Sequence, residues 1–144
     1  MISYPIIFKQ QVYAESSKPW KVEFLGKNLD PLSVDIPVEF GGVNLGYAPE
    51  DFYAAAMLNC FVATLQYLVS KSDLTFERLE IAGNLIVDRN SNGVVDMEKM
   101  QMELVVFGAS DQHRFVNLVE EVKGNCLILN SVNTKLELKY DILC

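Results

Sequence analysis

"APEDFYAAAMLNCFVATLQYLVS", residues 48–70, decides how this 144-residue chain is read. Pro49 suits the first helical position, and Glu50 and Asp51 lie where a helix dipole favours anions. The pattern predicts a helix from Ala48 to about Lys71, apolar on nearly every side. Such a helix is surrounded by other elements rather than laid on a surface. Asn59, Thr64 and Gln66 interrupt it, which argues against a membrane span of about 20 apolar residues. A core helix is the reading. Cys60 at its middle is then either a small buried hydrophobe or a reactive thiol. Asn59 must find polar partners, across a dimer or beside Cys60.

Outward from this helix, the N-terminal side reads as strands. "IIFKQQVYAE", "WKVEFLG" and "LSVDIPVEF" are β-branched and aromatic runs separated by polar or Pro-containing turns. In the third, Val34, Ile36, Val38 and Phe40 alternate with Asp35, Pro37 and Glu39, which predicts one buried face, and Pro37 predicts an edge position. "GGVNLGYAPE" is a glycine-rich loop into the helix. On the C-terminal side, Leu79, Ile81, Gly83, Leu85 and Val87 share one face of a strand, and Met100, Met102, Leu104 and Val106 one face of the next. "DRNSNG" between them is turn chemistry. A second helix follows "GASDQ", with a stripe of Phe115, Leu118, Val119 and Val122 and Gly124 as its stop. His113 and Arg114 fall on its solvated face, and the methionines are core filling. "TKLELKYDI" closes the chain as a strand of alternating Leu136, Leu138, Tyr140 and Ile142.

The order βββ, buried helix, ββ, amphipathic helix, β predicts a single α+β domain over residues 1–144, with antiparallel sheets. A domain of this size hardly covers a long helix on all sides, so a homodimer is expected. The net charge of −7, with 12 Lys and Arg scattered singly, argues against nucleic acid as a partner. "MISYPIIFKQ" lacks the charged and apolar regions of a secretory signal, which predicts a cytoplasmic protein without a membrane partner. Cys60, Cys126 and Cys144 lack the paired spacing of zinc ligands, and with the lone His113 no metal or other cofactor is expected. Each cysteine is left with packing or thiol chemistry.

"APEDFYAAAMLNCF" resembles the central-helix motif of the OsmC/Ohr family of thiol peroxidases. That motif is a Pro-Glu pair, an aromatic residue or leucine, a run of alanines, and a cysteine ten residues after the glutamate. Here these are Glu50, Ala54 to Ala56 and Cys60. "EEVKGNCLILNSV" is similar to the second family element, with Cys126 after an amphipathic helix and before the final strand. The resemblance implies an OsmC-like fold, an intertwined homodimer, and reduction of organic hydroperoxides or hydrogen peroxide. Cys60 would be the peroxidatic thiolate, Cys126 the resolving cysteine, and a dithiol or lipoyl-type reductant would reduce their disulfide. A buried thiolate needs nearby positive charge or hydrogen-bond donors. The family's glutamate orients an arginine beside the reactive cysteine. Glu50 is about 15 Å from Cys60 along its own helix, so a partner chain's Glu50 would serve; alternatively Glu50 is only a dipole-favoured acid.

The chain departs from the pattern at that arginine. Peroxide-cleaving members carry it ahead of the central helix, whereas the first arginine here is Arg78. Lys9, Lys18, Lys21 and Lys27 are the only upstream cations, and lysine lacks the planar fork that grips a carboxylate. Either a lysine substitutes, or Arg78, Arg89 or Arg114 reaches in, or peroxidase activity is lost. The last case leaves a second function: an OsmC-like member that binds a small apolar ligand at the dimer interface.

Overall fold

The computed structural model describes residues 3–144. The chain forms two units, Met1–Phe52 and Tyr53–Cys144, divided inside helix α1 (Pro49–Ser70). In the first unit, β1 (Gln10–Tyr13), β2 (Trp20–Phe24) and β3 (Leu32–Val34) form an antiparallel sheet in that order. Val12 faces Val22, and Trp20 faces Val34.

The expected long third strand stops at Val34. Residues Val38–Phe40 form a 3-10 turn, and Ile36, Val38 and Phe40 are exposed rather than lining a buried face. The cause is Asp35. Its side chain is buried, with Oδ1 accepting from the Ile36 amide at 2.8 Å and Oδ2 from the Val43 and Leu45 amides at 3.0 and 3.2 Å. A carboxylate collecting loop amides competes with a strand ladder and folds residues 36–45 back on themselves. The returning chain pairs through a bridge between Val34 and Tyr47. Gly46 permits that approach, because a Cβ there would lie 2.7 Å from the backbone of Ser33 and Val34. Pro49 then opens α1, and Asp51 Oδ2 accepts from the Ala48 amide at 2.8 Å, half of a capping box.

The second unit follows the alternation more closely. β4 (Arg78–Arg89) pairs antiparallel with β5 (Val95–Phe107), setting Leu79 opposite Val106, Ile81 opposite Leu104, Gly83 opposite Met102 and Leu85 opposite Met100. A register shift between Ile86 and Val87 ends the pattern, so Val87 is exposed. Helix α2 (Gln112–Asn125) is capped by Asp111, whose side chain accepts from the Arg114 amide at 3.0 Å. Phe115, Val119 and Val122 are buried as expected, and His113 and Arg114 are exposed.

Two features correct the sequence reading, and a third concerns the coverage of α1. Gly124 lies inside α2, which ends where Cys126 adopts an extended backbone and starts a short helix, α3 (Leu127–Ser131). β6 (Lys135–Ile142) is parallel to β5, not antiparallel, because the chain crosses over through α2 and α3 before pairing. The sheet order is β4-β5-β6, so this second sheet is mixed. Finally, α1 is not covered all round within one chain. Met57, Phe61 and Leu65 form its buried stripe, packed in one core with Met100, Met102, Leu104 and Val106 of β5 and with Phe115, Val119 and Val122 of α2. Only 17% of its most apolar 18-residue window is buried, and with a mean hydropathy of 1.5 the helix is by length and composition apolar enough to cross a membrane.

Candidate active site

Cys60 precedes the buried Phe61 on α1, so its side chain sits at the rim of the buried stripe and is half-buried. Cys126 occupies the joint between α2 and α3. Its amide donates to Val122 O and its carbonyl accepts from the Asn130 amide, both at 3.0 Å, so one residue ends one helix and starts the next. Satisfying both backbone groups in this way fixes the direction of the side chain, which is fully buried.

The two sulfurs, 66 positions apart in sequence, lie 2.7 Å apart. Both cysteines are free thiols here, and the Cys126 thiol donates toward Cys60 Sγ. The Ile128 amide, in the first turn of α3, donates to the same sulfur at 3.5 Å. Cys60 is therefore the acceptor in both contacts. Burial pushes the Cys126 thiol up to about 11, and its hydrogen bond to Cys60 adds to the shift, against partial relief from the Leu129 and Ile128 amides. Cys126 is thus protonated at neutral pH. The pair is asymmetric: Cys126 is fully buried and donates, whereas Cys60 is half-buried and accepts.

Other expected participants lie elsewhere. Glu50 sits in the first turn of α1, in the first unit, with Oε2 buried and, among the described residues, without a hydrogen-bond partner. Arg78 stacks on Phe107 at 4.2 Å and pairs with Glu80 at 3.3 Å. Arg89 donates to Gly93 O at 2.8 Å, and Arg114 pairs with Asp73. Each of the three arginines is engaged away from the sulfurs. Asn59 is exposed, and its amide donates to Ala55 O at 2.8 Å, one turn back on its own helix. Within this chain it neither bonds to nor polarises the Cys60 site. Cys144 is exposed beyond β6.

Sequence reading missed the Ile128 amide and a bond between Tyr53 Oη and Thr134 Oγ1 at 2.6 Å. Tyr53 is seven residues before Cys60, on the same helical face, and that spacing was the available signal.

The fold and the thiol pair define an α+β protein of the OsmC type. The chain belongs to the OsmC-like protein family, which matches residues 41–141. Among solved structures, an OsmC-like protein of unknown function from Vibrio cholerae is similar at 18% identity, with 95% of this chain and 100% of that chain covered and a TM-score of 0.84. An organic hydroperoxide resistance protein from Elizabethkingia anophelis is similar at 17% identity, covering 99% and 98%, with a TM-score of 0.76. The organic hydroperoxide resistance protein OhrB of Bacillus subtilis is similar at 16%, covering 95% and 98%, with a TM-score of 0.68. At these identities the likeness is one of fold. No curated protein sequence matches the chain significantly.

Proposed function

We propose that the protein reduces hydroperoxides with a cysteine pair, Cys60 attacking and Cys126 resolving. The observation that carries this reading is the 2.7 Å approach of a fully buried, protonated Cys126 to a half-buried Cys60. Cys60, as the thiolate, attacks the distal peroxide oxygen; the O–O bond breaks, the alcohol leaves after taking a proton, and Cys60 becomes a sulfenic acid. Cys126 then attacks the Cys60 sulfur. The S–S bond forms, and the hydroxide displaced from Cys60 leaves as water with the Cys126 proton. A dithiol or lipoyl-type reductant restores both thiols by exchange.

The protein acts in this reading as a cytoplasmic homodimer. A second copy would cover the apolar circumference that α1 leaves open, which is more than isolated surface leucines amount to. It would also bring a second Glu50 to the assembly, and Glu50 Oε2, buried and without a partner among the described residues, calls for a hydrogen-bond donor such as a cation.

A second reading is favoured by one observation. Arg78, Arg89 and Arg114 are all engaged elsewhere, so no arginine of the second unit is free to hold a peroxide oxygen. An OsmC-like protein lacking that group would instead bind a small apolar ligand at the dimer interface. Coupled turnover of tert-butyl hydroperoxide with a dithiol separates the two. The peroxidase reading expects turnover by wild type and none by Cys60→Ser; equal, negligible rates support the binding protein.

A further inference from the structure

The segment 126–134, which carries the buried thiol, is tied to α1 at both of its ends. At the first end, the Cys126 thiol and the Ile128 amide both reach Cys60 Sγ. At the other, Thr134 Oγ1 meets Tyr53 Oη at 2.6 Å. Among the described residues, these are the only three hydrogen bonds between α1 and this segment. Tyr53 and Cys60 are two helical turns apart, about 10 Å along one face, so the segment lies along the helix like a strap fastened at each end. Between the fastenings, Ile128, Leu129 and Val132 are only partly buried against the core. Their packing is non-directional. A short hydroxyl–hydroxyl bond is directional, and it fixes Thr134, the residue immediately before β6, at one point on the helix.

We infer that Tyr53 and Thr134 are positioning residues that hold Cys126 at bonding range of Cys60 and so set how readily the disulfide closes. The inference rests on the reading that these two thiols form a reversible disulfide. Closing it converts two thiols to one S–S bond, with both protons and two electrons passing to the oxidant, here oxidised dithiothreitol. A strap fixed at both ends has lost its freedom before the bond forms, so closure costs less entropy. Releasing one end returns that freedom to the reduced state and weakens the disulfide. A net hydrogen-bond contribution corresponds to roughly a 5-fold change in the equilibrium.

The test is the equilibrium constant of the Cys60–Cys126 disulfide against dithiothreitol, in the full chain with Cys144→Ser. It uses no peroxide, so it stays informative if the protein proves not to be a peroxidase. Tyr53→Phe and Thr134→Val should each lower the constant by roughly 5-fold, the double variant should match the singles, and Thr134→Ser should restore wild-type behaviour. Reduced-state melting separates this from general loosening: Thr134→Ser and Thr134→Val are expected to melt within a few degrees of each other while differing in the redox constant. Single variants within 2-fold of wild type, or a double variant showing the product of the two effects, would overturn the inference. So would a wild-type chain in which dithiothreitol poise never yields a Cys60–Cys126 bond.

Discussion

Gly83 of β4 lies beside Leu58 of α1 and Met100 of β5. A Cβ built there falls 2.4 Å from Met100 Cε and 2.9 and 3.2 Å from the two Leu58 methyls. Met100 Cε ends a flexible chain and can rotate, but Met100 is wholly buried, so its new position displaces a neighbour. Leu58 is on α1 two residues before Cys60, and its half-buried side chain must change rotamer to make room. Overpacking of this kind costs about 1–3 kcal/mol, against a gain of about 0.5–1 kcal/mol from replacing a strand glycine. Gly83→Ala should therefore destabilise by about 1 kcal/mol net, a fall in Tm of roughly 3–4 °C. Gly124→Ala is the control for the same chemical change. Gly124 is helical and exposed, with nothing within 4 Å of its Cβ position, so alanine there should stabilise by about 0.5 kcal/mol. Thermal unfolding followed by circular dichroism at one protein concentration gives both shifts. Opposite signs are required. A Gly83→Ala protein as stable as wild type would mean that the sheet-to-helix packing is looser than described.

Three further outcomes are expected. Asp111→Ala should lose the cap of α2 and cost about 1 kcal/mol, read as a fall in the urea midpoint at unchanged slope. Backbone amides, that of Leu45 foremost and then those of Ile36, Val43 and Asn44, hold the Asp35 carboxyl below its ordinary value of 3.8, so its contribution is complete above that value and is lost as pH falls through the lower folded one; amide exchange at Val43 and Leu45 should show the loop opening over that acidic range, and Asp35→Asn should show it open already at neutral pH. Because burial raises the Cys126 thiol to about 11, iodoacetamide at pH 8 should modify Cys126 last of the three cysteines, and a Cys126 adduct appearing with the exposed Cys144 would contradict its placement.

The second unit was legible where one face of an element meets a core. Leu79, Ile81 and Leu85 pair across the hairpin with Leu104 and its neighbours because period-two alternation and burial coincide there. Alternation alone misled at Ile36, Val38 and Phe40, where a buried carboxylate takes the loop amides and no core lies beneath. The direction of β6 was not legible either, since either direction presents Leu136, Leu138 and Tyr140 to the same side. Helix α3, at five residues, is too short to show a period. At the site, nothing local joins Cys60 to Cys126. Their proximity came from family resemblance, and the geometry then supplied what resemblance does not: which sulfur accepts hydrogen bonds, which is buried, and what ties the second to the first.

The central claim is that Cys60 takes the peroxide oxygen and Cys126 expels it as water. It is tested most directly by mass analysis after one equivalent of tert-butyl hydroperoxide, with dimedone present to capture sulfenic acid. The account predicts a dimedone adduct on Cys60 in Cys126→Ser, a Cys60–Cys126 disulfide without adduct in wild type, and unmodified Cys144 in both. An unreacted Cys60 in Cys126→Ser, or a wild-type product linking Cys60 to Cys144, would contradict it.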